Sequence, residues 1–482
     1  MDVNYADKSG SRVQISPRNM NESLYDFLCA AMLGIGNMCM FLGYDTSTTI
    51  VEPVLHSVHD RLPETIDMHA GYNGTAVCLI LFMVLSVTAP WTLGLLGSKG
   101  SILLGSLMFT IHLSTFFYIH SIPFYVTSAA IGVGYSLFYS GHGAYVTEHS
   151  TKQTIERNSA MSYALATSSL IAGGAVILLT SRPSEGIPLD LENSTVASEE
   201  QSYRQYSDGE IRLMYGAFTA MAVVSNIIFA FLPTRAVENA LATVNNRKCR
   251  IGLIEQLKAV FSTMAEKRMI LAAPVYLFLG VSTAFWISIY PATLIYSKKL
   301  ADYDNLQAYY IIALGIGEIS MGAIISILSK YIRNFAKIPA MISGFILYFT
   351  AMTIALLSTP FAASHTPTDE PTLLFQPSMY LSLLIALLLG MSDSAFVTSR
   401  TVLCSLLIPK KISHVFSISK VYQVKSLAMS SPLFLSSFIS MPLHFMINLA
   451  FGVVALFAYY FATRHSSRDE ERKQAISEDN CA

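Results

Sequence analysis

The chain has 482 residues, 52% of them hydrophobic and only 13% charged, about half the charge of an ordinary soluble domain. Its net charge of −1 and its lack of a dense basic tract with interleaved aromatics exclude a nucleic-acid binder. Six cysteines without CxxC or other metal-ligand spacing predict free thiols rather than zinc sites or disulfides.

Apolar runs of about 20 residues, each long enough to cross a ~30 Å hydrocarbon slab as a helix, recur along the chain. They predict an all-α membrane protein with twelve transmembrane helices, at 24–44, 71–93, 99–118, 122–144, 158–181, 211–232, 269–296, 306–330, 338–358, 377–402, 418–440 and 443–463. Residues 1–23 form a polar N-terminal tail without a cleavable signal, 24–232 a first six-helix bundle, 233–268 a basic linker, 269–463 a second bundle and 464–482 a C-terminal tail. Lys and Arg gather in the tails, in the linker and in alternate loops, which places both termini in the cytoplasm.

Within the first bundle, Asn37 and His142 are polar candidates for a cavity, and His112 is expected to make an interhelical hydrogen bond. Asp45 is read as a helix end. The stretch 45–70 that follows is read as an exterior loop carrying a short amphipathic helix. Its Glu52, His56, His59, Asp60, Asp67 and His69 are taken as solvated loop residues, so no metal site and no cofactor are expected. Glu148 and Arg157 flank the loop between the fourth and fifth spans and form a candidate cytoplasmic lock. The second exterior loop offers one favourable glycosylation sequon, Asn193-Ser194-Thr195.

Shifting Ile131–Phe138 (IGVGYSLF) by 258 residues lays it over Leu389–Phe396 (LGMSDSAF), which predicts two related halves. Between the halves, Ile254, Leu257, Val260 and Phe261 recur at helical spacing among basic residues and predict a helix lying on the inner leaflet. The second copy carries Asp393 and Arg400 where the first has Tyr135 and His142. A charge near the bilayer centre costs about 2.5–3.5 kcal/mol on insertion scales, so such groups face protein or water. Glu318, Asp393, Arg400, Lys420 and Lys425 are therefore a candidate intramembrane charge network, with Asp393 expected to pair with Lys420 or Lys425. No GxxxxGK[ST], HExxH or GxSxG pattern occurs, and no catalytic residues and no enzyme activity are expected.

Several of these stretches together carry a resemblance. Gly141-His142-Gly143-Ala144-Tyr145-Val146-Thr147, Ile155-Glu156-Arg157-Asn158-Ser159, Gly315-Ile316-Gly317-Glu318, Asp393-Ser394 and Phe416-Ser417-Ile418-Ser419-Lys420 are similar to the Unc-93-like family of the major facilitator superfamily. The resemblance implies a 6+6 pseudo-twofold bundle in the lipid bilayer, most readily the plasma membrane. It further implies an accessory role, either beside a two-pore-domain potassium channel or as an escort of Toll-like receptors. The alternative is a secondary transporter of a small solute or ion with a midplane cavity lined by Glu318 and Asp393. Ordinary facilitators carry an aspartate and paired basic residues between spans 2 and 3, whereas Gly94-Leu95-Leu96-Gly97-Ser98-Lys99-Gly100 has one Lys and no Asp.

Overall fold

A computed structural model of the chain describes residues 20–151, 154–180, 206–235, 237, 240, 252–300, 303, 305–332, 335, 338–364, 368–408, 411–434 and 439–479. Helical side chains at several places, Arg157, 428–434 and 465–479 among them, lie outside this set, as do the Asn193 sequon and the N-terminal tail. The first half holds α1 (Met20–Arg61), α2 (Ala70–Ser86), α3 (Ala89–Ser114), α4 (Ser121–Glu148), α5 (Ile155–Thr180) and α6 (Asp208–Ala230). A short helix, α7 (Leu253–Met264), leads to the second half. That half holds α8 (Lys267–Ala284), continued through a π turn into α9 (Tyr290–Tyr296), then α10 (Leu306–Tyr331), α11 (Ile338–Ser358), α12 (Met379–Leu407), α13 (Ile412–Phe434) and α14 (Met441–Asp479).

Among the described residues ten helices are long and apolar enough to cross a membrane, counting α8 through α9 as one, and α2 is a shorter apolar helix. Large apolar side chains such as Leu179, Phe231, Ile346 and Phe457 point outward, as they must where the solvent is hydrocarbon. The chain is an integral multi-pass membrane protein.

The two halves repeat one packing scheme. Contacts of α3 with α4, α2 with α4, α1 with α5, α1 with α6 and α3 with α6 recur as α11 with α12, α10 with α12, α8 with α13, α8 with α14 and α11 with α14. The halves meet along α5 with α10 and along α2 with α13, the exchange that a twofold relation requires. The offset of 258 residues equates α4 with α12, and side chains follow it. Phe138 stands edge-on to Phe41 of α1 at 5.4 Å, and its counterpart Phe396 stands edge-on to Phe278 of α8 at 5.3 Å.

Several boundaries differ from the sequence reading: α13 begins at Ile412 rather than 418, and α14 runs to Asp479 rather than 463. Ser47, Thr48 and Thr49 turn their hydroxyls back onto the carbonyls of Tyr44, Asp45 and Thr46, so a polar run that reads as a helix end stays helical. α1 continues to Arg61 as one helix with Pro53 in its interior. The second span ends at Ser86 rather than 93, and residues from Ala89 on belong to α3. Gly97, with φ 72°, interrupts that helix; a side chain there would occupy the strained left-handed region.

On the face that carries the linker, α7 buries Gln256, Val260 and Thr263 and leaves Ile254 and Phe261 exposed. Gln256 meets His414 of α13 at 3.1 Å. Lys411 reaches Glu266 at 2.7 Å, but both side chains are more than a third exposed. Solvent and entropy leave such a pair little net value. Glu266→Ala is accordingly expected to change stability by less than about 1 kcal/mol, as read from thermal melting in detergent.

Candidate functional site

Where α10 crosses α12, glycines bring the two backbones together. A Cβ on Gly390 would collide with the Leu314 carbonyl oxygen and press on the Glu318 nitrogen, and one on Gly317 would collide with the Leu387 carbonyl. The first half has the same crossing, with Gly132 set against the Cys78 carbonyl and the Phe82 nitrogen. Glu318 therefore stands in the second half where Phe82 stands in the first, and Asp393 where Tyr135 stands.

What fills these equivalent places differs sharply. Phe82 stacks on Tyr135 at 5.0 Å and on Tyr139 at 5.9 Å, and the two tyrosine rings lie parallel at 5.7 Å. The second half has two carboxylates instead. Glu318 is 5% exposed and within electrostatic range of Asp393 and of Asp45 on α1. Among the described residues no donor bonds its carboxylate. Asp393 accepts a hydrogen bond from the Trp286 indole Nε1 at 3.2 Å.

Trp286 is placed by the π turn Phe285–Ile289, which adds one residue to the turn between α8 and α9. Such bulges recur at functional sites. The Tyr310 hydroxyl fixes it from α10 by donating to the Trp286 carbonyl at 2.6 Å.

Two cations complete the seam. Lys420 of α13 holds its ammonium 4.5 Å above the Tyr139 ring, a cation–π contact that joins the halves. Arg400 is buried and donates to Gln423 at 2.8 Å. Both lie within electrostatic range of Asp393. The direct ion pair expected for Asp393 is not formed, because Trp286 takes the carboxylate and Tyr139 takes the ammonium. Lys425 is exposed and outside the network: five residues from Lys420 is about 140° around a helix, so both cannot face the seam.

Other predicted residues are dispersed. Glu148 accepts from Ser98 at 2.5 Å, which ties the end of α4 to the start of the helical part of α3 after Gly97; its expected partner Arg157 has a side chain outside the described set. His142 meets Ser162 of α5 at 3.4 Å, and Asn37 is buried in α1. His112 pairs with Thr127 at 3.1 Å, as an interhelical hydrogen bond should. Near it lies a cavity of about 20 Å³ lined by Tyr44, Ser47, Cys78, His112 and Ser128 among others, room for about one water.

At the opposite face the 45–70 stretch is a solvated loop only in part: Asp67 and His69 stand exposed in the link after α1, whereas the acids and histidines before Arg61 are helical. Glu52 and His56 lie on the continuing α1, and Glu52 is buried. His69 caps the start of α2 with Nδ1 3.1 Å from Glu52, and that hydrogen bond pushes its pKa up from the ordinary histidine value.

The comparison that decides the family is a match of residues 62–460 to the family described as "Ion channel regulatory protein UNC-93". The chain belongs to the UNC-93 family. Relatives include the UNC93-like protein MFSD11 of Xenopus tropicalis, 24% identical over 446 residues, 89% of this chain and 94% of that protein. The Xenopus laevis protein of the same name is 24% identical over 447 residues, with the same coverage.

Solved structures share the fold at low identity. The major facilitator superfamily transporter FucP in the outward conformation gives a TM-score of 0.56 at 11% identity, covering 91% of this chain and 99% of that one. A mutant of the peptide transporter POT gives 0.62 at 11% identity, with 90% and 94% covered. This UNC-93 family member is thus an all-helical membrane protein of the major facilitator fold.

Proposed function

We propose that this UNC-93 family member is a regulatory, non-enzymatic subunit of an ion channel, with a potassium channel as the partner class. It would lie in the plasma membrane with both termini cytoplasmic. The family description supports regulation of a channel. The observation that carries the reading is the aromatic stack of Phe82, Tyr135 and Tyr139, capped across the seam by Lys420.

A solute path through two rocking halves must part along this seam. Here the seam is bridged by the Tyr139–Lys420 contact and by the Ser417 hydroxyl, which donates to the Ser86 carbonyl at 2.8 Å. Contacts across the seam of this kind support the reading of a body that acts as a packing partner. Its exposed apolar surface on α6, α11 and α14, including Ile227, Ile346 and Phe457, suits a neighbour's transmembrane helices.

Co-expression with a potassium channel is expected to change the current per channel at the surface, while the purified protein in proteoliposomes passes no solute. Unaltered current with normal surface delivery would sink this reading.

A second reading, secondary transport of a small solute or ion, rests on one observation. Glu318 and Asp393 share the interior, and among the described residues no cation is in direct contact with either. It requires flux that disappears in Glu318→Gln or Asp393→Asn.

A further inference from the structure

A second cluster of titratable side chains lies away from the seam, at the far end of α1 where that helix meets the start of α2. Glu52 and His56 are one helical turn apart on the same face, and His69 approaches from the cap of α2. Each of the three can offer a ligand atom, and those atoms lie within 4.8 Å of one another.

The surroundings orient the carboxylate. The Glu52 side chain is 9% exposed, with one oxygen turned to His69 Nδ1 at 3.1 Å and the other accepting the Tyr72 backbone N–H at 3.0 Å. Gly71 has no Cβ, and one would press against that oxygen and the Glu52 backbone. Backbone bonds of this kind hold metal-binding carboxylates in place.

We propose that Glu52, His56 and His69 form a binding site for a divalent transition-metal cation of the zinc type. Two imidazoles and one carboxylate suit such an ion. Calcium and magnesium would call for more oxygen ligands. Three protein ligands leave a fourth position for water, and Asp60 lies 3.7 Å from His56 Nε2.

Binding displaces the proton shared between His69 and Glu52 and replaces their hydrogen bond with two metal bonds. The ion then clasps the outer turns of α1 to the first turn of α2. Tyr72 in that turn interacts with Tyr296 at the end of α9, so the clasp also bears on the contact between the halves.

The test uses the full-length protein in detergent, stripped with a chelator and titrated with Zn²⁺ by calorimetry, with thermal melting in parallel. One saturable site per chain and a raised Tm are expected. His69→Ala and His56→Ala should each weaken binding by about tenfold or more; the His69 side chain is 60% exposed, so its removal spares the fold. His59→Ala is the control, since its Nδ1 already meets the Ile66 carbonyl at 2.7 Å, and it should bind as the wild type does. Absence of saturable binding, or wild-type affinity in either the His69→Ala or the His56→Ala variant, overturns the proposal and leaves a simple histidine–carboxylate hydrogen bond.

Discussion

Replacing Gly390 by leucine is expected to leave little folded protein, with a loss of about 3 kcal/mol or more. The side chain would have to occupy the space of the Leu314 carbonyl, and a backbone atom cannot rotate aside as a side chain can. Gly317 makes the reciprocal approach to Leu387 from the other helix, so α10 and α12 have no slack in which to separate. Gly132→Leu in the first half should behave alike, since the Cys78 carbonyl lies against it. Gly143 has open space at its Cβ, and Gly143→Leu is expected to stay within about 0.5 kcal/mol of the parent. Size-exclusion profiles and melting curves in detergent separate these outcomes. A Gly390→Leu protein that is monodisperse and melts with the wild type would remove the close crossing from the account.

Asp393→Asn should be nearly as costly although it changes the volume little. Asparagine keeps an oxygen for the Trp286 indole, so the hydrogen bond at 3.2 Å survives while the charge is lost. Arg400 and Lys420 then lose the carboxylate that both of them feel. Uncompensated charge in an interior costs about 3–5 kcal/mol, and a loss of about 3 kcal/mol is expected.

The double variant decides whether charge is the cause. Lys420→Met removes one of the two cations, so Asp393→Asn with Lys420→Met should be more stable than Asp393→Asn alone. The coupling should fall within about 0.5–3 kcal/mol. Strictly additive losses would mean that the two groups do not sense one another.

Much of the architecture was legible because the bilayer imposes it. A lipid-crossing helix must be apolar over its whole length, and this writes each span into the sequence. The offset between Ile131–Phe138 and Leu389–Phe396 was legible for a related reason. Gly132 and Gly390 do the same packing work, so the twofold repeat conserves glycine at both places within this one chain.

The site was legible only in part. Glu318, Asp393, Arg400 and Lys420 stood out by their charge, but their partners did not. Trp286 reaches Asp393 because of a π turn, and no residue type announces one. Tyr139 and Tyr310 look like ordinary core aromatics until Lys420 and the Trp286 carbonyl are placed against them. Lys425 was misjudged by depth alone, since depth says nothing of which way a helix face turns. Asp45 was read as a helix end because the apolar run stops at Tyr44, whereas the hydroxyls of Ser47, Thr48 and Thr49 bond back within a helix that continues.

The length of α1 has a mechanical result. Its 42 residues make a rod of about 63 Å, twice the ~30 Å of hydrocarbon it crosses. Near its beginning the Tyr25 hydroxyl donates to the Arg235 carbonyl at 3.0 Å, and at its end Arg61 donates to the Tyr206 carbonyl at 2.6 Å. Pro53 supplies no N–H to the Thr49 carbonyl and is the one place where this helix has a joint, so a push on the Arg61 end is taken up as bending there before it reaches Tyr25.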